Sequence, residues 1–211
     1  MAYDFDTIAR TYDRLNHLMT FGLDRCWRRR AVRRLQGNVL DVACGTGDMV
    51  LELMKRGCAV TGVDISEEMI SIAKNKARAT YMIADAEALP FPDASFDAVT
   101  CAFGVRNFVH LEQGLNEMLR VLKPGGRMVI LELATPDSKL LLPFYRFYTR
   151  RIIPWLGSRI AGNREAYTYL PESIERFPKG GEFCRIIERL GARATERKLT
   201  FGVCRMYTME K

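Results

Sequence analysis

Residues 39–48 read Val39-Leu-Asp-Val-Ala-Cys44-Gly-Thr-Gly-Asp48, a short apolar run that breaks at Gly45 and Gly47. Past the break, Met49, Leu51, Leu53 and Met54 fall at helical spacing until Gly57 stops them. A strand, a glycine turn and a helix make the first half of a strand–helix–strand unit. The second half follows at once. Ala59 to Val63 is a second apolar run ending at Asp64, and Ser66 with Glu67 to Met69 reads as the capped start of another helix. Thr80 to Ala84 predicts a third strand ending at Asp85, and Ala98 to Phe103 a fourth. Leu111 to Leu122 is a helix with apolar Leu115, Met118, Leu119 and Leu122; Lys123 to Gly126 turns the chain into a fifth strand, Arg127 to Ala134. Arg197 to Met209, with Gly202 inside, reads as an antiparallel hairpin that closes the sheet. Short apolar runs alternating with amphipathic helices mean parallel strands joined by crossover helices. The expectation is an α/β, Rossmann-like fold with a mostly parallel seven-stranded sheet and helices on both faces.

The chain has 211 residues, a length that one domain spanning 1–211 accommodates. Apolar residues make up 48% and charged residues 27%, too apolar for a disordered chain. No apolar stretch approaches the roughly 18 residues that span a bilayer. The acidic start, Met-Ala-Tyr-Asp-Phe-Asp, lacks the order of a secretory signal, so a cytoplasmic location is expected. Six scattered cysteines without a Cys-x-x-Cys pair read as buried apolar thiols, and two separate histidines offer no zinc set. The net charge of +7 fits nucleic acid or an anionic membrane surface. No reader motif or aromatic ladder supports nucleic acid, which is not expected as a partner.

In an open α/β sheet, ligands bind beyond the carboxyl ends of the strands. Gly45, Thr46 and Gly47 follow strand one, Asp64 ends strand two and Asp85 ends strand three, so all should meet at one crevice. Asp64 lies 19 residues after Gly45, near the spacing at which an acid meets ribose hydroxyls. A dinucleotide fingerprint needs a third glycine where Val50 stands, and no Gly-Lys-Ser/Thr follows to hold phosphate. Ribose and adenine without phosphate fit better, and S-adenosylmethionine is the commonest such cofactor. The glycine turn by itself is equally a plain strand–helix junction; Asp64 and Asp85 in register give it meaning.

These residues match a family. Asp41-Val-Ala-Cys-Gly-Thr-Gly-Asp48, Val63-Asp64-Ile and Asp85-Ala-Glu-Ala-Leu-Pro-Phe-Pro-Asp93 resemble class I S-adenosylmethionine methyltransferases. More narrowly, the chain resembles the UbiE/MenG quinone-biosynthesis C-methyltransferases. Phe5-Asp6 with Tyr12-Asp13-Arg-Leu-Asn16 and Trp27, then Phe103-Gly-Val-Arg-Asn107, are similar to family signatures. So are Arg120 to Glu132 and Tyr167-Thr-Tyr-Leu-Pro-Glu-Ser-Ile174 with Phe177-Pro178. The resemblance implies that Thr46 meets the methionine part of the cofactor, Asp64 the ribose, and Asp85 and Ala86 the adenine. Where the family usually has Asn, this chain has Asp85, and either supplies a carbonyl-type acceptor. Ala102 stands where members often carry Ser, so a hydroxyl contact from that position is lost.

The implied activity is methylation of a ring carbon of a prenylated quinol, of the demethylmenaquinol or ubiquinol-precursor type. The sulfonium methyl is already activated, so the protein mainly aligns a carbon nucleophile. Arg106 and Asn107 are the catalytic candidates. An arginine, with a pKa above about 12, is a poor base, so Arg106 is expected to stabilise the developing oxyanion while water takes the proton. His110 and His17 are alternative bases, or merely a helix start and packing. The N-terminal segment 1–36 and an insertion at 136–180 are expected to cover the acceptor. Leu140 to Leu156, with Tyr145, Tyr148, Trp155, Arg146, Arg150 and Arg151, suits a prenyl-tail groove, a peripheral membrane contact or a homodimer face. Arg25, Arg28, Arg29, Arg30, Arg33 and Arg34 form a second basic cluster beside Trp27. Methylation of another small or lipid acceptor, and a non-catalytic cofactor-binding module, are the competing functions.

Overall fold

The computed structural model describes residues 9–160 and 164–211. Phe5 and Asp6 of the first signature lie outside the described residues, as do the side chains of Tyr167 and Thr168. Seven strands form one sheet: β1 (Asn38–Val42), β2 (Ala59–Asp64), β3 (Thr80–Ile83), β4 (Phe96–Ala102), β5 (Leu122–Leu133), β6 (Arg193–Leu199) and β7 (Cys204–Glu210). Their order is β3-β2-β1-β4-β5-β7-β6. The first five run parallel; β7 is antiparallel to both β5 and β6. The sheet reverses its winding between β1 and β4, the switch point at which a doubly wound sheet opens a crevice.

Each strand reads as it packs. β1 is Asn-Val-Leu-Asp-Val with four consecutive buried residues, the pattern of a central strand covered on both faces. The helix α3 (Asp48–Met54) follows its glycine turn, and α4 (Glu67–Lys76) starts at Ser66, whose hydroxyl accepts the Met69 N–H at 3.0 Å. With α1 (Ala9–Met19), α2 (Leu23–Ala31) and α5 (Leu111–Val121), they complete the first half of the chain. One sheet face packs Leu115, Met118, Phe183 and Ile187, and the other packs Val32, Leu53, Ile70 and Leu131. The strands begin or end within a few residues of the expected places. The largest differences are β5, which starts at Leu122 rather than Arg127, and β6, which starts at Arg193 rather than Arg197. The exposed polar face of β6 conceals the alternation from a sequence reader. The Lys-Pro-Gly-Gly turn interrupts pairing rather than preceding it: Phe96 pairs Leu122, and pairing resumes at Ala98 with Arg127.

The segment between β5 and β6 contributes α6 (Leu142–Phe147), a π turn at Tyr148–Ile152, α7 (Ile153–Ile160), α8 (Arg164–Arg176) and α9 (Gly181–Arg189). Leu15 and Met19 of α1 pack with Ile153 in a small separate core. Tyr148 donates its hydroxyl to the Met19 carbonyl at 2.9 Å and stacks on Phe21 with ring centroids 5.8 Å apart. The amino-terminal helices and the β5–β6 insertion therefore meet over the carboxyl edge of the sheet. Among the described residues, no helix is long and apolar enough to cross a membrane.

Leu40, wholly buried in β1, should cost about 2–5 kcal/mol when cut back to Ala, because the covered strand cannot collapse into the void. Urea unfolding of Leu40→Ala checks this; a change below about 1 kcal/mol would mean that β1 is not central.

Candidate active site

Two cavities open at the carboxyl edge. The smaller, about 160 Å³, is lined by Gly45, Asp64, Asp85, Ala86 and Asn107 together with the neighbouring loop residues. The end of β1 turns sharply there. Ala43 has φ 52° and Gly45 φ 53°, and Phe103 after β4 has φ 62°. Left-handed backbone at a non-glycine residue costs roughly 1–2 kcal/mol, so two such residues at one rim mark a shaped edge. A Cβ built on Gly45 meets nothing within 4 Å, so its backbone stands open to whatever occupies the cavity. Asp64 fastens this turn to β2. Its Oδ2 accepts the Gly45 N–H at 2.8 Å and its Oδ1 accepts the Ser66 N–H at 3.0 Å, which fixes the carboxylate's plane. Asp85 is exposed and accepts the Glu87 N–H at 2.9 Å.

The lining decides which ligand fits. Asp64, Asp85 and Glu87 are all part of it, and among the described lining residues there is no Lys or Arg. Such a wall repels phosphate and suits a cationic ligand that presents hydroxyl and amine donors. The residues thus fit an adenosyl sulfonium.

Thr46 and Gly47 lie behind this surface. Thr46 is buried, and its hydroxyl donates to Asp13 of α1 and accepts from Lys76 Nζ at 3.2 Å. A Cβ on Gly47 would sit 3.2 Å from that of Ala73. Both residues shape the turn from within, because α1 folds over it and claims the threonine.

The larger cavity, about 350 Å³, is almost wholly apolar and aromatic. Trp27, Phe103, Leu133, Tyr145, Tyr148 and Ile174 are among its walls, and Arg106 is in it. Tyr12 and Phe103 line both cavities, so the two meet there. The Arg106 side chain is 6% exposed and its Nη1 donates to Glu132 Oε1 at 2.7 Å; Glu132 is 1% exposed. Burial pulls the guanidinium's pKa down, but Glu132 and Tyr12 outweigh this, so Arg106 stays a cation. Burial raises the Tyr12 pKa; Arg106, Asn16 and Arg28 only partly offset it, and the phenol keeps its proton. Asn107 faces the smaller cavity, and its Oδ1 accepts the Tyr169 hydroxyl at 3.2 Å.

Neither histidine lines either cavity. His110 is exposed and meets Glu87 at 2.8 Å at the start of α5. His17 meets Asp24 at 2.8 Å and Asp48 at 3.6 Å. These three place ligand-type atoms within 4.8 Å of one another. Their charge is already matched: Arg28 pairs with Asp24 and Lys76 with Asp48. Of the cysteines, Cys26 is exposed, contrary to expectation, because it falls on the outer side of α2; Cys44, Cys58, Cys101 and Cys204 are buried. Burial drives the Cys44, Cys101 and Cys204 thiols well above their ordinary pKa, so they are unreactive.

The sequence reading passed over Glu132 and the inward turn of Arg28. A lone carboxylate in the run Met-Val-Ile-Leu-Glu-Leu is the signal that would have found the first.

Comparison with known proteins shows the family and the fold. The model of the ubiE/COQ5 methyltransferase family matches residues 2–211. The chain belongs to that family. A Geobacter sulfurreducens protein named ubiquinone/menaquinone biosynthesis C-methyltransferase UbiE is 48% identical, over 98% of this chain and 86% of its own. A demethylmenaquinone methyltransferase of Deinococcus radiodurans is 44% identical, over 98% and 90%. Among solved structures, a SAM-dependent methyltransferase from Thermotoga maritima superposes with TM-score 0.69 at 18% identity, covering 98% of this chain and 97% of that one. One from Aquifex aeolicus gives 0.66 at 19%, covering 93% and 96%. At that identity the likeness shows the fold: a class I methyltransferase fold, as the sequence predicts.

Beneath the glycine turn, Asp41 is fully buried, accepts the Thr100 hydroxyl at 2.7 Å through Oδ1, and has no partner for Oδ2 among the described residues. Burial pushes its pKa up to about 7, with Thr100 and Arg28 pulling the other way. The folded state therefore binds a proton that the unfolded chain has released, and the carboxylate's contribution to stability falls as pH rises from about 4 to about 7. Asp41→Asn should gain stability relative to the parent across that window. Urea unfolding as a function of pH checks it; parallel curves would contradict the burial argument.

Proposed function

We propose that the chain methylates a ring carbon of a prenylated quinol, of the demethylmenaquinol type, with S-adenosylmethionine as methyl donor. One observation carries the reading: an acidic cavity without a cation and an apolar, aromatic cavity with a buried arginine share Tyr12 and Phe103. The names of the relatives support the acceptor class.

Bound in the smaller cavity, S-adenosylmethionine supplies an electrophilic methyl group on a positively charged sulfur. Asp64 accepts from the ribose hydroxyls, and Asp85 from the adenine amine. The Ala86 N–H donates to the adenine ring, and Gly45 allows the close backbone approach. Thr46 and Gly47 hold the loop from its buried side. In the larger cavity the acceptor ring lies against Phe103 with one hydroxyl near Arg106. Loss of that hydroxyl's proton raises electron density at the neighbouring carbon, where the new carbon–carbon bond would form as the methyl–sulfur bond breaks and a neutral thioether leaves. The proton on that carbon then leaves and the ring regains aromaticity. Arg106 stabilises the phenolate rather than accepting the proton, which passes to water. Asn107, bound to Tyr169, keeps the loop between the cavities in place.

In the single domain 1–211, the described parts of segments 1–36 and 136–180 cover the acceptor. Phe21, Phe144 and Phe201 line the larger cavity yet are 77%, 72% and 81% exposed, so its rim is apolar. A prenyl tail leaving there continues onto a lipid surface, with Arg146, Arg151 and Trp155 exposed nearby in the chain. A homodimer formed through the same rim would close that exit, so peripheral membrane attachment is the better use of it.

Asp64→Ala should weaken S-adenosylhomocysteine binding by about 1–3 kcal/mol, as paired hydroxyls lose a half-buried acceptor; calorimetry reads this, and unchanged affinity would refute the ribose contact. Arg106→Gln, which retains a donor for Glu132, should lower turnover of a short-chain quinol about 10²–10³-fold with cofactor affinity unchanged. Full turnover in that variant would remove Arg106 from the chemistry.

A further inference from the structure

Of the six arginines grouped around Trp27, five are exposed and Arg28 alone turns inward. Its side chain is 8% exposed and lines the same large cavity as Arg106. The two guanidiniums are built alike. Arg28 Nη1 donates to the buried Asp24 at 2.5 Å, as Arg106 Nη1 does to the buried Glu132 at 2.7 Å. Each leaves its Nε buried with no hydrogen-bond partner among the described residues. Both also converge on Phe103: the Arg28 guanidinium carbon is 5.1 Å from the ring centroid, and Arg106 Nη1 donates to the Phe103 carbonyl at 2.5 Å. Two buried cations thus stand at the residue where the cavities meet, each held by its carboxylate through a single Nη nitrogen. A carboxylate anchor neutralises such a group without filling its fork of donors.

We propose that Arg28 is a second oxygen-binding residue of the acceptor cavity. Arg106 takes the ring oxygen beside the methylated carbon, and Arg28 takes the oxygen across the ring. The inference rests on the quinol reading above and sharpens it: the cavity selects rings that carry two oxygens opposite one another. Such a ring offers one acceptor to each guanidinium, whereas a monophenol leaves one of the two guanidiniums without a ligand oxygen. The competing role for Arg28 is structural, since it also lies 3.8 Å from Asp48 and so ties α2 to α3.

A cycle between enzyme and substrate separates these roles. The full-length protein and Arg28→Gln are each given two short-chain acceptors, a 1,4-dihydroxynaphthalene and the matching 1-hydroxynaphthalene, with methylation read at the carbon beside the shared hydroxyl. Removing the far hydroxyl should cost the parent roughly 10- to 100-fold in kcat/KM, mostly through KM. In Arg28→Gln the dihydroxy acceptor should fall by a similar factor and the monohydroxy acceptor should change little, so the two become alike. The cycle cancels the intrinsic reactivity of the analogue. Equal losses with both acceptors in Arg28→Gln, or a parent indifferent to the far hydroxyl, would overturn the assignment. Arg28→Lys, which keeps the charge but not the fork, is the second variant should Gln prevent folding; it should bind S-adenosylhomocysteine normally and show reduced discrimination, and undiminished discrimination would overturn the assignment. Failure of the parent to methylate either acceptor would instead overturn the quinol reading, and this one with it.

Discussion

The carboxylate of Asp64 joins the end of β2 to the turn that leaves β1, and the edge of the sheet takes its form from that join. Without the bond from the Gly45 N–H, the glycine turn would be a plain link between a strand and a helix. With it, an open stretch of backbone and a fixed negative charge share one wall. The strand order makes this inevitable, because β1 and β2 are parallel neighbours in register, with Val42 opposite Val63, and their next residues must emerge together.

Charge divides the space beyond that edge. The smaller cavity gathers carboxylates, and the larger gathers aromatic rings and two buried guanidiniums, with Asp24 paired to one of them. A cationic methyl donor and an acceptor that becomes anionic are thereby sorted before either reacts. Low local polarity around Arg106 would strengthen the hold proposed for it on a phenolate, and Glu132 keeps the guanidinium oriented and charged, so that it has no place for a further proton. The catalytic demand on side chains is modest because the donor arrives activated; position and field supply the rest.

Much of this was legible in the residue string, for identifiable reasons. β1, β4 and the apolar stretch of β5 announce themselves as apolar runs because both sheet faces are covered there, and Asp64 and Asp85 stand out because they follow apolar runs. The Ser66 cap is a local hydrogen bond and needs no tertiary information. Other features depend on distant chain. Thr46 stands where the resemblance implies a cofactor contact, yet its hydroxyl is met by Asp13, 33 residues earlier, which no spacing rule encodes. Arg28 looked like one of six surface charges because only the docking of α2 against Phe103 distinguishes it from its neighbours. The beginning of β6 was hidden for a simpler reason: an edge strand with polar residues on its open face has half the usual signal.

The most direct examination of the account is a structure of the protein with S-adenosylhomocysteine bound. The ribose hydroxyls are expected within about 2.6–3.2 Å of the Asp64 carboxylate, with the sulfur directed toward the junction at Tyr12 and Phe103. An adenosyl group seated elsewhere, or an Asp64 still bonded only to its own chain, would contradict the central claim.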